Sequence, residues 1–211
     1  MTQIAKDHWQ KIYQSKQASE VSWYQKTPEV SLQFINNYCD DKQKFIVDAG
    51  GGASTLVDHL VHAGYQNIVV LDLSASALQQ SQQRIQVAQP NHSSTIEWID
   101  ADITQSQLPH KFDIWHDRAV FHFLTDTVSR QSYIQNLKKS LHPGGYLVMA
   151  TFALDGPKKC SGLEIVQYDA DKLQQELGSS FTLLTQQKEN HRTPFETAQS
   201  FNYFVFRYLK P

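Results

Sequence analysis

This sequence predicts an α/β fold, a doubly wound and mostly parallel sheet, and three observations predict it. Strand-like apolar runs alternate with helix-period segments from Phe45 to Phe152, and that alternation builds a parallel sheet with helices on both faces. Three consecutive glycines, Gly50 to Gly52, lie between the first such strand and the helix after it. Two strand-like segments close the chain, 181–187 and 201–209, joined by a polar, turn-rich stretch that permits antiparallel pairing. The expectation is a seven-stranded sheet with five parallel strands and a terminal pair containing one antiparallel C-terminal strand.

The elements follow in order. A helical stretch covers Ile4 to Gln17 and leads to Ser22-Trp23-Tyr24. Thr27-Pro28-Glu29 reads as N-cap, first-turn proline and first-turn acid, opening a helix with Val30, Leu32, Phe34 and Ile35 that runs to Tyr38. Phe45–Ala49 is the first strand, and the helix of Leu56, Leu60 and Val61 is stopped by Gly64. The second strand is Ile68–Leu73. Ser74 caps the next helix, which passes through Leu78, Ile85 and Val87 and ends before Pro90. Strands three and four are Thr95–Ile99 and Phe112–Trp115. A helix through Tyr133, Ile134, Leu137 and Leu141 stops at His142-Pro143-Gly144-Gly145, and Tyr146–Phe152 is strand five. A short helix at Asp171–Leu177 precedes the terminal pair, whose Phe201, Tyr203 and Val205 alternate as in a strand.

Composition narrows the function. The chain has 211 residues, of which 40% are apolar, enough for one domain with a full core. Nineteen basic against 21 acidic residues give a net charge of −2, so no broad basic field exists for nonspecific nucleic-acid binding. Two cysteines, Cys39 and Cys160, cannot form a disulfide framework or a cysteine-rich zinc site. No run approaches the ~20 apolar residues of a membrane span, and the N-terminus has no apolar signal core. The expectation is a cytoplasmic protein with no metal and no membrane association.

Five segments carry chemistry. Asp48-Ala49-Gly50-Gly51-Gly52-Ala53-Ser54-Thr55 occupies the first strand-to-helix turn, where glycines let the backbone approach a ligand and helix-start N–H groups supply donors. Asp72 closes the second strand 20 residues after Gly52, where a carboxylate can accept both hydroxyls of a ribose. A dinucleotide fingerprint starting at Gly50 needs glycine at 55, where Thr55 stands, which counts against a nicotinamide or flavin cofactor. Asp100-Ala101-Asp102-Ile103 follows strand three, where an acid can accept the exocyclic amine of adenine. His116-Asp117-Arg118-Ala119-Val120-Phe121-His122 follows strand four, at the strand ends where such sheets react. His116 or His122 is the candidate general base, Asp117 the partner that sets its tautomer or touches the cofactor, and Arg118 the binder of an anionic acceptor. Asp117 and Arg118 satisfying each other in a structural turn is the alternative. The loop Gly156 to Leu163, with Cys160 inward, and His191-Arg192-Thr193-Pro194 are placed near the acceptor.

Asp48-Ala49-Gly50-Gly51-Gly52, Asp72, Ala101-Asp102 and Leu141-His142-Pro143-Gly144-Gly145, taken in order over residues 40–155, resemble the motifs of class I S-adenosylmethionine-dependent methyltransferases, which have a Rossmann-like fold. Ser54 stands where that family often has a third alternate glycine. The resemblance implies S-adenosyl-L-methionine as cofactor and S-adenosyl-L-homocysteine as product. Gly50 and Gly52 would lie under the methionine part, Asp48 would face its ammonium, Asp72 would hold the ribose, and Asp102 with Ile103 the adenine. Tyr24, Gly51, Ser54, Thr55, Leu73, Ser74, Ala101 and Asp117 complete the implied cofactor set, with Trp23 and Tyr24 candidates to close the site. Ser22-Trp23-Tyr24, the His116 to Leu124 segment and Lys159-Cys160-Ser161-Gly162-Leu163 resemble a narrower bacterial group of small methyltransferases. The Trp23-Tyr24 region is also similar to lysine methyltransferases acting on citrate synthase or elongation factor. Those enzymes usually carry Asp-Lys-Gly-Thr after strand four, where Asp117-Arg118-Ala119-Val120 stands here.

The expectation is therefore methyl transfer to a small-molecule nucleophile by in-line displacement. A protein lysine as acceptor and a non-catalytic cofactor-binding module are the alternatives. A single domain, 1–211, would comprise an N-terminal helical lid segment (1–40), a cofactor-binding core (41–155) and an acceptor-side loop with the terminal strand pair (156–211).

Overall fold

The computed structural model describes residues 3–209, with the backbone alone at 93 and 94. Its helices are α1 (Gln3–Ser15), α2 (Glu29–Tyr38), α3 (Leu56–His62), α4 (Ala75–Ala88), α5 (Thr127–Ser140) and α6 (Ala170–Leu177). Its strands are β1 (Phe45–Ala49), β2 (Asn67–Asp72), β3 (Ile96–Asp100), β4 (Phe112–Arg118), β5 (Leu141–Phe152), β6 (Lys159–Cys160), β7 (Leu163–Glu164), β8 (Phe181–Arg192) and β9 (Ala198–Tyr208). Seven of them form one sheet in the order β3-β2-β1-β4-β5-β9-β8. β3, β2, β1, β4 and β5 are parallel, and β9 runs antiparallel to both β5 and β8. The Rossmann-like, doubly wound sheet and its reversed strand are those the sequence predicts.

The period-2 alternation of strands divides the core in two. Ile46, Ile68, Val70, Ile114, Val148 and Val205 pack beneath α2, α3 and α4. Val47, Val69, Leu71, Trp115, Leu147, Met149 and Phe204 pack beneath α5 and α6. Strand order reverses between β1 and β4, and ligands of open α/β sheets bind at such a switch point, outside the carboxyl ends of the strands.

Several boundaries differ from the sequence expectation. β4 runs on to Arg118, so His116, Asp117 and Arg118 lie on the strand and the turn falls at Ala119, where φ is +70°. The ladder continues because β4 is flanked on both sides, with His116 opposite Asp48 and Val148, and every polar side chain finds a partner. β5 begins at Leu141, before the His-Pro-Gly-Gly stretch, which forms an irregularity between the Leu141 and Tyr146 pairings with β4. β8 extends to Arg192, so His191 lies on the strand and only 193–197 remain as the turn. The β6–β7 hairpin was not legible as strand, its turn being made by Ser161 and Gly162 at φ +52° and +80°.

Candidate active site

Two cavities lie side by side at the carboxyl ends of β1, β2 and β4, sharing Tyr13, Trp23, Gly50 and Arg118 in their walls. The first measures about 640 Å³ with its open mouth and is lined by Leu71, Asp72, Leu73, Ala101, Ile103, Ala119, Val120, Phe123, Cys160 and Trp9. The second is bordered by Tyr24, Gln25, Ser31, Asp48, Gly51, Ser54, Thr55 and His116. The expected residues Tyr24, Asp48, Gly50, Gly51, Ser54, Thr55, Asp72, Leu73, Ala101, Ile103, His116 and Arg118 are thus brought together.

The glycine turn explains itself at atomic scale. A side chain on Gly51 would begin 2.4 Å from Oδ2 of Asp48, and one on Gly52 2.6 Å from Oδ2 of Asp72. The glycines therefore let two carboxylates sit directly against the backbone. The loop is held from both sides: Gly50 N–H donates to Leu71 O at 2.7 Å, and Ser81 Oγ on α4 donates to Gly52 O at 2.7 Å. Just before α3, Ser54 Oγ accepts Leu56 N–H at 3.1 Å, a bond glycine at 54 could not make, and Thr55 Oγ1 donates to Gln25 O at 2.8 Å.

Asp72 accepts Ser74 N–H at 2.8 Å. Burial, with Asp48 and Asp100 nearby, pushes its carboxyl up to about 7 against the lowering pull of the Ser74 N–H. Asp48 is buried; Oδ1 lies 2.7 Å from His116 Nδ1, while Oδ2 has no hydrogen-bond partner among the described residues.

Five expected residues do not border either cavity. Gly52 lies beneath Asp72, and Ser74 caps α4 through Ala77 N–H at 3.2 Å. Asp102 accepts both the Thr104 N–H and hydroxyl. Asp117 faces the other side of the sheet, accepting Tyr133 O–H at 2.5 Å and the Val120 N–H at 3.0 Å. Its carboxyl is pushed up to about 6 by burial, opposed by those donors. It makes no pair with Arg118, since adjacent strand residues face opposite sides. His122 is fully buried between Phe123 and Phe152, and burial with Arg118 nearby lowers its imidazole to about 3. His116 has both ring nitrogens engaged, Nε2 lying 2.9 Å from Ser31 Oγ. Neither histidine is poised as a free base, because one is fully desolvated and the other already bonded at both nitrogens.

Arg118 donates from Nε to Tyr203 Oη at 2.8 Å and from Nη1 to Trp23 O at 3.0 Å, and Nη2 lies 3.7 Å from Glu189. Its guanidinium stacks on Phe201, 4.4 Å from the ring centre. His191 bonds Ser22 O at 2.8 Å, so it anchors the N-terminal segment.

That segment supplies residues the sequence reading missed. Trp9 and Tyr13 of α1 border the cavities, and Trp23 packs edge-on against Trp9 while donating to Tyr13 Oη at 3.0 Å. Trp9 also meets Phe123 edge-on, and Cys160 from β6 completes that wall. Burial and the nearby Asp72 push the Tyr13 phenol well above its usual range. The signal was present: aromatics at i and i+4 on a helix form one stripe. Ser31 was also missed, a hydroxyl on the apolar stripe of Phe34 and Ile35. Among the described residues no group of histidine, cysteine and acidic side chains could hold a metal ion, and no helix is long and apolar enough to cross a membrane.

The model of a methyltransferase domain family matches residues 47–147. The eEF1A lysine and N-terminal methyltransferase of Mus musculus is 30% identical over 103 residues, 49% of this chain and 14% of that protein. Nodulation protein S of Rhizobium fredii is 28% identical over 86 residues, 41% of this chain and 46% of that protein. The chain therefore spans less than half the length of either relative. Among solved structures, the N-methyltransferase NodS from Bradyrhizobium japonicum WM9 with S-adenosyl-L-homocysteine aligns with a TM-score of 0.70 at 20% identity, covering 97% of this chain and 100% of that one. The 1,6-didemethyltoxoflavin-N1-methyltransferase of Burkholderia thailandensis aligns with a TM-score of 0.71 at 13% identity, covering 98% and 85%. Sheet order, family match and motif order agree: residues 47–147 carry a methyltransferase domain, and the sheet has the fold of class I S-adenosylmethionine-dependent methyltransferases.

Proposed function

We propose that this enzyme transfers the methyl group of S-adenosylmethionine to a small-molecule nucleophile by direct in-line displacement. The observation that supports the small-molecule reading is the aromatic wall: Trp9, Tyr13 and Trp23 from the N-terminal segment, with Phe123 and Cys160, border the same partly enclosed cavity as the cofactor-side Asp72 and Ile103. A protein lysine would need an open groove at that place. Residues 1–40 act as the lid segment, 41–155 as the cofactor-binding core and 156–211 as the acceptor side of a single domain.

The residues fit the cofactor. Asp48 lines the second cavity, and its Oδ2 is buried without a partner among the described residues, a group suited to an ammonium. Asp72, raised to about 7 by burial, gains its missing donors from a ribose diol. Leu73, Ala101 and Ile103 wall the adenine end, with Asp102 shaping the loop between them. When bound, S-adenosylmethionine supplies a methyl carbon already activated by a sulfonium. The protein positions the acceptor, excludes water and keeps aromatic faces near the positive charge. With His122 held at about 3 and both nitrogens of His116 bonded, the acceptor brings its own lone pair, as a neutral amine or a thiolate does. Arg118 lines both cavities with its guanidinium held by Tyr203, the Trp23 carbonyl and the Glu189 carboxylate, so it fixes the N-terminal segment at the edge of the site.

Calorimetric titration with S-adenosylhomocysteine tests the cofactor, beside Asp72→Ala and an NADH control. Micromolar binding, lost in the variant, supports the reading, and no binding by the wild type sinks it. Labelled-methyl transfer to small amines and thiols, compared with transfer to whole-cell protein, then decides the acceptor class.

A further inference from the structure

His116 makes no contact that methyl transfer itself needs, yet it lies beside the cofactor-facing carboxylate. His116 and Asp48 are register partners on β4 and β1, so both side chains project toward α2. Nδ1 lies 2.7 Å from Asp48 Oδ1, and Nε2 lies 2.9 Å from Ser31 Oγ. On the next position of the same face, the Tyr203 oxygen accepts Arg118 Nε–H at 2.8 Å.

A carboxylate only accepts, so His116 Nδ1–H is the donor to Asp48 Oδ1, while the Ser31 hydroxyl holds the ring at its other nitrogen. Asp48 is left with Oδ1 fixed and Oδ2 unmatched, at a site where an unpaired buried oxygen is costly. Gly51 leaves room for that oxygen beside Val70, since a side chain there would begin 2.4 Å from Oδ2 and 2.8 Å from Val70 Cγ1.

We propose that His116, held by Ser31, is a positioning residue that aims Asp48 Oδ2 at the α-ammonium of the cofactor's methionine part. The inference rests on the cofactor reading above and deepens it by naming what orients the ammonium's partner. It assigns His116 to cofactor affinity and removes it from proton transfer.

The test is calorimetric titration of the full chain with S-adenosylhomocysteine and with its deaminated analogue, which lacks only the α-ammonium. The wild type should prefer the intact ligand by about 30-fold, the scale of a charge-assisted bond. His116→Ala should reduce that preference to about 3-fold while the analogue's affinity stays within about 2-fold of wild type. His116→Asn, whose amide replaces the Nδ1 donor, should restore most of the preference. Ser31→Ala should lower it by about 3-fold, and this milder variant carries the test if His116→Ala does not fold. Equal weakening of both ligands, or an undiminished preference in His116→Ala, overturns the proposal. A wild type that binds both ligands equally also overturns it, whereas a wild type that binds neither fails the cofactor reading itself.

Discussion

Asp72 shows how one side chain can be wrong for the fold and right for a ligand. Its carboxyl is raised to about 7, chiefly by burial, so the folded chain without cofactor holds its proton more tightly than the unfolded chain does. The unfavourable contribution begins above the unfolded value near 4 and is complete above about 7. Asp72→Asn should therefore stabilise the cofactor-free protein at pH 8 by about 1–3 kcal/mol. The same change should weaken S-adenosylhomocysteine at least 10-fold, and denaturant titration beside calorimetry checks both. A wild type whose carboxylate is engaged by ribose hydroxyls must release that proton on binding. Its affinity should rise between pH 6 and 8, and the rise should flatten in Asp72→Asn. On the opposite face, Tyr133→Phe removes a 2.5 Å donor from the buried Asp117 and should cost about 1–3 kcal/mol of stability with little effect on cofactor affinity.

Among the elements, α1 has the weakest hold on the molecule. None of its residues is fully buried, Trp9 and Tyr13 being half-buried. Its ties are the edge-on contacts of Trp9 with Trp23 and Phe123 and a set of polar bonds: Gln10 to Ser74 and Ser76, Gln80 to the Tyr13 carbonyl, and Lys6 to Asp100. Half-buried hydrogen bonds contribute about 0.5–1.5 kcal/mol each and an exposed ion pair about 0–1 kcal/mol, so local opening of α1 is easier than global unfolding. Amide exchange over residues 3–15 should be fast in the cofactor-free enzyme and slow markedly with S-adenosylhomocysteine, whereas β1 and β4 should be protected in both. Trp9→Ala should shift the melting temperature by only ~2–3 °C, as loss of about 1 kcal/mol implies at this size. It should nonetheless raise KM for the acceptor severalfold, and unchanged exchange together with unchanged KM would dismiss α1 as a lid.

For the whole molecule, the buried titrations oppose one another. Asp72 and Asp117, raised to about 7 and about 6, make stability fall as pH rises from about 4. His122, lowered to about 3, and His191, also lowered, make stability rise as pH climbs toward their unfolded value of 6.5. The opposing slopes partly offset one another between about pH 4.5 and 6, so the melting temperature should change less there than the two carboxyls alone would make it. Asp72→Asn removes one falling slope, about 1.4 kcal/mol per pH unit at most. Its melting temperature should then rise with pH over the same interval, a difference that thermal scans at several pH values read directly.

The local sequence was enough for the doubly wound architecture, because strand and helix periods, caps and glycine turns act between near neighbours. It also located Asp48, Gly50 to Gly52 and Asp72, since a strand–helix–strand unit brings those positions to one edge. What lay on which side of β4 was decided only in three dimensions. The run from His116 to Arg118 looks like a polar turn until Asp48, Ser31, Tyr133 and Tyr203, as far as 85 positions away in the chain, supply partners that let it continue as buried strand. The same distance hid Trp9 and Tyr13, whose place over the cavity comes from α1 packing on α4. Periodicity tells which face of an element is covered, and long-range pairing alone tells by what.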